Sequence, residues 1–163
     1  MATLTAKVTE SITLSSGTVD STNTLTISNI SDVSKRVVTA AVAETFLVGF
    51  ATAGSTNLSK SYVAGQFDED EALYLRITNL DSTYHCTLTF KCAGNHEFAV
   101  LLDKGQSIIY NGDLAGGMKS TMDASASALD GSLALANLVD VSAKADTQPI
   151  QLEIFVASEA SAG

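Results

Sequence analysis

Both cysteines and both histidines of this 163-residue chain fall in one stretch, YHCTLTFKCAGNH, residues 84–96. Thiolate and imidazole are the usual soft-metal ligands and nucleophile–base partners, so zinc or thiol chemistry would be sought here first. The spacing argues against both. Cys86 and Cys92 alternate with Leu88 and Phe90, after Tyr84, on one face of a strand, and six strand residues set them about 20 Å apart. A disulfide needs Cα atoms within about 7 Å, and two ligands of one zinc must be nearly as close. His85 falls on the opposite face. Only Cys92 and His96, across Ala93-Gly94-Asn95, can approach each other, and two ligands make no structural zinc site. The expectation is a strand with buried free thiols and surface histidines, without metal or disulfide.

Other chemical motifs fail on similar grounds. The chain contains no G-x-S-x-G elbow. GDLAGGMKS (112–120) approaches a phosphate loop, but Met118 separates Gly117 from Lys119 and no strand–loop–helix pattern surrounds it. Asp68-Glu69-Asp70-Glu71 lacks the alternation, central glycine and final glutamate of a calcium loop and reads as a solvated acidic turn. Tryptophan is absent and aromatic residues are 6%, which leaves little from which to build a sugar platform. No catalytic residue, metal or cofactor is implied.

The elements that would carry these residues are strands. LTAKVTESITL (4–14) places Leu4, Ala6, Val8, Ile12 and Leu14 on one face, with Glu10 the one breach, to be accommodated at an edge or bulge. SSGTVDSTN (15–23) reads as a turn or loop by composition. TLTISNI (24–30), KRVVTA (35–40) and ETFLVGF (44–50) follow as short strands, and 51–71 reads as loop. LYLRITNL (73–80) and YHCTLTFKC (84–92), joined around Asp81-Ser82, read as the clearest hairpin. EFAVLL (97–102), GQSIIYN (105–111), LVDVSAKA (138–145) and IQLEIFVA (150–157) complete the strands, with Pro149 just before the last. A short helix near 121–129 is the one non-β expectation.

Eight to ten short strands without βα alternation indicate a sandwich or barrel. The length fits one domain, 1–163, large enough to bury a core without disulfide or metal. Serine and threonine total 37, in keeping with pleated surfaces and turns. A net charge of −9 opposes nucleic-acid binding. The first residues lack the basic and apolar regions of a signal peptide, and no apolar run is long enough to span a membrane. The expectation is a soluble protein made in a cytosol.

VTESITL (8–14), KRVVTA (35–40), LYLRITNLDSTYHCTLTF (73–90) and EFAVLLDKGQSIIYNGD (97–113), with LVDVSAKAD (138–146) more weakly, together resemble a group of small β-rich virion proteins of tailed bacteriophages, familiar from phages of marine bacteria and cyanobacteria. The most specific pieces are RITNLD and LDKGQS, which are structural rather than catalytic. The resemblance implies a jelly-roll-like β-sandwich acting as a capsid decoration or cement protein on the outer surface of the virion. Its implied partners are the major capsid protein and copies of itself, as a homo-oligomer with a trimer favoured, and neither nucleic acid nor membrane. No contact residue carries over from the group. The Gly/Ala/Ser-rich segment 112–136, with Met118, Met122, Leu129 and Leu133, is the candidate partner contact. Competing expectations are a neck or tail adaptor and a carbohydrate-binding sandwich, with a small hydrolase remote.

Overall fold

The structure is a computed structural model and describes residues 2–51, 65–94, 96–111 and 136–159. The possible helix near 121–129, the 112–120 loop and the contact candidates Met118, Met122, Leu129 and Leu133 lie outside the described residues.

Period-two patterning becomes ten strands: β1 Ala2–Leu14, β2 Gly17–Ala40, β3 Thr45–Ala51, β4 Gln66–Asp68, β5 Ala72–Asn79, β6 Cys86–Cys92, β7 His96–Leu102, β8 Ser107–Asn111, β9 Leu138–Ala145 and β10 Ile150–Glu159. They form two five-stranded sheets, ordered β1-β2-β10-β5-β8 and β4-β3-β9-β6-β7. Every pairing is antiparallel except β3 with β4. The protein is an all-β sandwich, and among the described residues there is no helix.

Alternation along the strands explains why the sheets stack. Leu75, Ile77, Leu152 and Ile154 of the first sheet meet Leu47, Leu88, Phe90 and Val141 of the second in one buried cluster. Each large side chain of this kind contributes about 1.5–3 kcal/mol when fully buried. The four-residue face expected of 84–92 is present: Cys86, Leu88, Phe90 and Cys92 are all buried, and Phe90 stacks on Phe98 at 4.9 Å.

Three expectations are overturned. The smallest is the loop reading of 51–71, which contains the end of β3 and the strand β4. LYLRITNL and YHCTLTFKC do not form a hairpin, because β5 lies in the first sheet and β6 in the second. The turn between them carries the chain across the sandwich. The β4–β5 connection also crosses, at the opposite end, and three further connections, β2–β3, β7–β8 and β9–β10, make the same crossing as β5–β6. The register places β5–β6 and these three at one end: Ile150 opposes Ala40, Leu152 opposes Asn79, Thr78 opposes Ser107, and Cys86 opposes both Leu102 and Ala145. Asn79 ties two crossings together. Its buried amide donates to the carbonyls of Tyr84 and Leu102, its oxygen accepts from the Asp81 N–H, and its own N–H donates to the Gln106 carbonyl. The LDKGQS connection is a tight turn in which the Gln106 N–H bonds the Asp103 carbonyl, and Gly105 takes a φ of 69°, which glycine adopts without a Cβ penalty.

SSGTVDSTN is likewise not a loop. Only Ser15 and Ser16 turn, and β2 then runs 24 residues, longer than the expected segments 24–30 and 35–40 combined. Its first half, opposite β1, forms a two-stranded ribbon in which Ile12 faces Val19, Ala6 faces Leu25 and Leu4 faces Ile27. Its second half pairs with β10. Register shifts flank Ile30 in both pairings, and Asn29 takes a φ of 65°. Such bulges bend a strand and increase its twist. The ribbon therefore leaves the plane of the first sheet, and its base packs on that sheet's outer face.

Candidate functional site

The stretch that concentrates thiols and imidazoles is divided by the fold. Cys86 and Cys92 are free and buried at the two ends of β6, and His85 lies before it, 3.6 Å from the Asp146 carboxylate. Cys92 and His96 are cross-strand partners on the β6–β7 hairpin, so they are the one Cys–His pair brought together. Lys91, Glu97 and Asp140 share the shallow hollow beside them. A nucleophilic thiol has to reach the thiolate form. Burial works against this at both positions, pushing the Cys92 thiol up and the Cys86 thiol up to about 11. Among the described residues no three histidine, cysteine, aspartate or glutamate side chains converge as metal ligands would.

The acidic run 68–71 departs from the expectation of a solvated turn. Glu69 is buried, and its carboxylate accepts a bond from the Asn137 amide at 3.0 Å, fastening the end of β4 to the start of β9. Around Lys91 there is a second polar cluster. The ammonium donates to Glu44 at 2.6 Å and lies 3.8 Å from Asp140, while the Ser142 hydroxyl donates to Glu44 at 2.8 Å. These bonds hold the Glu44 carboxyl below its ordinary range, and burial pushes Asp140 above its own. All four residues have a partner within the chain, and the cluster reads as a surface brace.

The outer face of the first sheet differs in chemistry. β10 contributes Glu153 and Phe155, on the side opposite Leu152 and Ile154, and β5 contributes Tyr74 and Arg76. Tyr74 meets Phe155 edge-on at 5.9 Å, and the Arg76 guanidinium lies 5.7 Å from the Phe155 ring centre. Glu153, only 16% exposed, is shared between Arg76 and Lys35, the latter at 3.0 Å. Over this patch lies the base of the ribbon. Leu4, Ala6, Leu25 and Ile27 pack against Ile30, Tyr74, Phe155 and Ala157, leaving a groove of about 240 Å³ along β1. Farther out, every residue from Val8 to Thr24 is exposed. The apolar side of the ribbon continues there, with Val8 44%, Ile12 56%, Leu14 50% and Val19 59% exposed.

Lys35 and Arg76 are paired with Glu153, the Arg76 Nε is buried without a hydrogen-bond partner, and the uncovered ribbon carries exposed Val8, Ile12, Leu14 and Val19. A two-stranded ribbon is marginal in water unless a second layer covers one face. The β1 segment was legible as an apolar-faced strand, but its exposure was not. The outer-face patch was missed, although the alternation in IQLEIFVA and LYLRIT, with Glu153, Phe155, Tyr74 and Arg76 all on the non-core phase, carries the signal for it.

No family model, curated protein or solved structure matches the chain. Among the described residues, no helix is long and apolar enough to cross a membrane.

Proposed function

We propose that the protein is a non-enzymatic structural protein of a tailed-bacteriophage virion, bound as a decoration or cement protein to the outside of the assembled head. The observation that carries the reading is the ribbon arm: a long element with one apolar face that, among the described residues, is covered only at the base. Such an element has a use in an assembly. The buried, neutral thiols and internally paired charges add no catalytic group to set against it.

The architecture supports the same reading. With β1 and β4 as additions, the order β2-β10-β5-β8 against β3-β9-β6-β7, with four short crossings at one end, is compatible with an eight-stranded jelly roll and supports reading the sandwich as one. Jelly rolls occur in viral capsids and also in lectins, so the fold narrows the class without deciding it. A sugar platform would need an open aromatic face, whereas Tyr74 is 5% exposed and lies under the arm. The net charge of −9 favours the outside of a head over its DNA-filled interior.

The test is quantitative mass spectrometry of purified particles of the encoding virus. A copy number comparable with that of the major capsid protein is expected. A copy number matching a single neck or tail ring, or absence from the particle, would overturn the head assignment.

A further inference from the structure

We propose that the overhanging half of the arm docks on the outer face of the first sheet of a second copy of this chain. Val8 is the last arm residue to line the groove shared with Tyr74, Arg76, Ile109 and Phe155. Six further strand residues, to Leu14, carry it about 20 Å beyond that seat. The side that faces the sheet at the base is the side that stays uncovered at the tip, because side chains two apart share a face.

The surface it needs is present on every copy. The arm covers Tyr74, Phe155 and Ala157 on β5 and β10 and leaves the β2 part of the outer face bare. There Val33 and Val37 are 50% and 52% exposed, with the Lys35 side chain, 60% exposed, between them. On the arm, Val8, Glu10 and Ile12 repeat the same spacing in β1. The two rows therefore match, apolar–anion–apolar against apolar–cation–apolar. The charges match locally as well. Lys35 and Arg76 share the single carboxylate of Glu153, which leaves this part of the face one cation in excess. Glu10 is the one charged residue on the apolar side of the arm. Docking places it beside Lys35 of the partner subunit, while Val8 and Ile12 cover the partner's Val33 and Val37. The contact joins two different patches, so it closes by reciprocal exchange in a dimer or by passing around a ring. The inference goes beyond the virion reading and does not depend on it, since purified protein tests it alone.

The experiment is sedimentation velocity of the full chain from micromolar to sub-millimolar concentration. Circular dichroism on each variant checks that the sandwich is intact. The wild type is expected to be oligomeric, and Ile12→Asp, at an exposed arm position outside the core, is expected to be monomeric. Glu10→Lys and Lys35→Glu should each weaken association about tenfold or more, and the double charge swap should restore most of the loss. A wild type that stays monomeric throughout, an Ile12→Asp protein that still associates, or a double swap no better than the single variants would overturn the proposal. The first of these results would leave the arm to a different protein without touching the head assignment.

Discussion

Asn79 shows how much one polar side chain settles in this molecule. It is buried to 1% exposure, and its amide reaches the carbonyls of two separate crossings. Removing it leaves those carbonyls and the Asp81 N–H without their partner in a place water reaches poorly. Loss of a buried partner of this kind costs about 1–3 kcal/mol per stranded group, so Asn79→Ala should lower stability by about 2–4 kcal/mol. Urea unfolding measures this, and a change below about 0.5 kcal/mol, as for an ordinary surface site, would contradict the assigned role. The sequence showed a turn around Asp81-Ser82, because turn-forming residues stand there. It could not show that the turn crosses between sheets. Local turn chemistry is the same whether the next strand pairs with the last one or with a strand fifty residues on. By contrast, the buried face of Cys86, Leu88, Phe90 and Cys92 was legible, since alternation with Thr87, Thr89 and Lys91 depends only on neighbours in the chain.

At the level of elements, the β5–β6 crossing and the arm show opposite kinds of support. The crossing is held by bonds to one carboxylate. Asp81 accepts from the N–H groups of Thr83 and Tyr84 at 2.7 and 2.8 Å, and these bonds hold its carboxyl below the ordinary aspartate range. A group whose folded pKa is depressed contributes stability above its unfolded pKa and loses that contribution as pH falls through the folded one. The loss for Asp81 therefore begins near pH ~4 and is complete only in stronger acid. Wild type should be more stable than Asp81→Asn at about pH 7, with the gap narrowing toward about pH 2 as the carboxylate is protonated. Urea midpoints at the two pH values measure it, and a constant gap would contradict the charge-assisted role. The arm has little support of its own beyond its base. The start of its second strand was read as a turn or loop because Gly17, Asp20, Ser21 and Asn23 are turn-forming residues. Pairing with β1 over twelve register positions overrides that composition, as tertiary context does for weak local preferences. The Thr and Ser side chains on the far side of the ribbon, among them Thr13 bonded to Thr18 and Ser11 bonded to Asp20, add a polar ladder that propensity alone undervalues.

For the whole molecule, the two outer faces are chemically unequal. The second sheet presents a charged brace around Lys91 with Phe46 and Leu101 exposed on the same face, and the first presents aromatic and aliphatic surface under and beside the arm. The all-β class was legible because most strands are short and strictly alternating. The inequality of the faces was not, because a strand with two half-exposed sides reads the same from either one. If the protein binds the assembled head and not its separated subunits, it stabilises the shell by mass action. Particles lacking it should then still assemble and package DNA but open at a lower temperature. Thermal release of DNA from complete and protein-deficient particles, followed with an intercalating dye, tests this most directly. The account predicts earlier release from the deficient particles, with the complete behaviour restored when purified protein is added back. Equal release temperatures, or deficient particles that form no head at all, would contradict it.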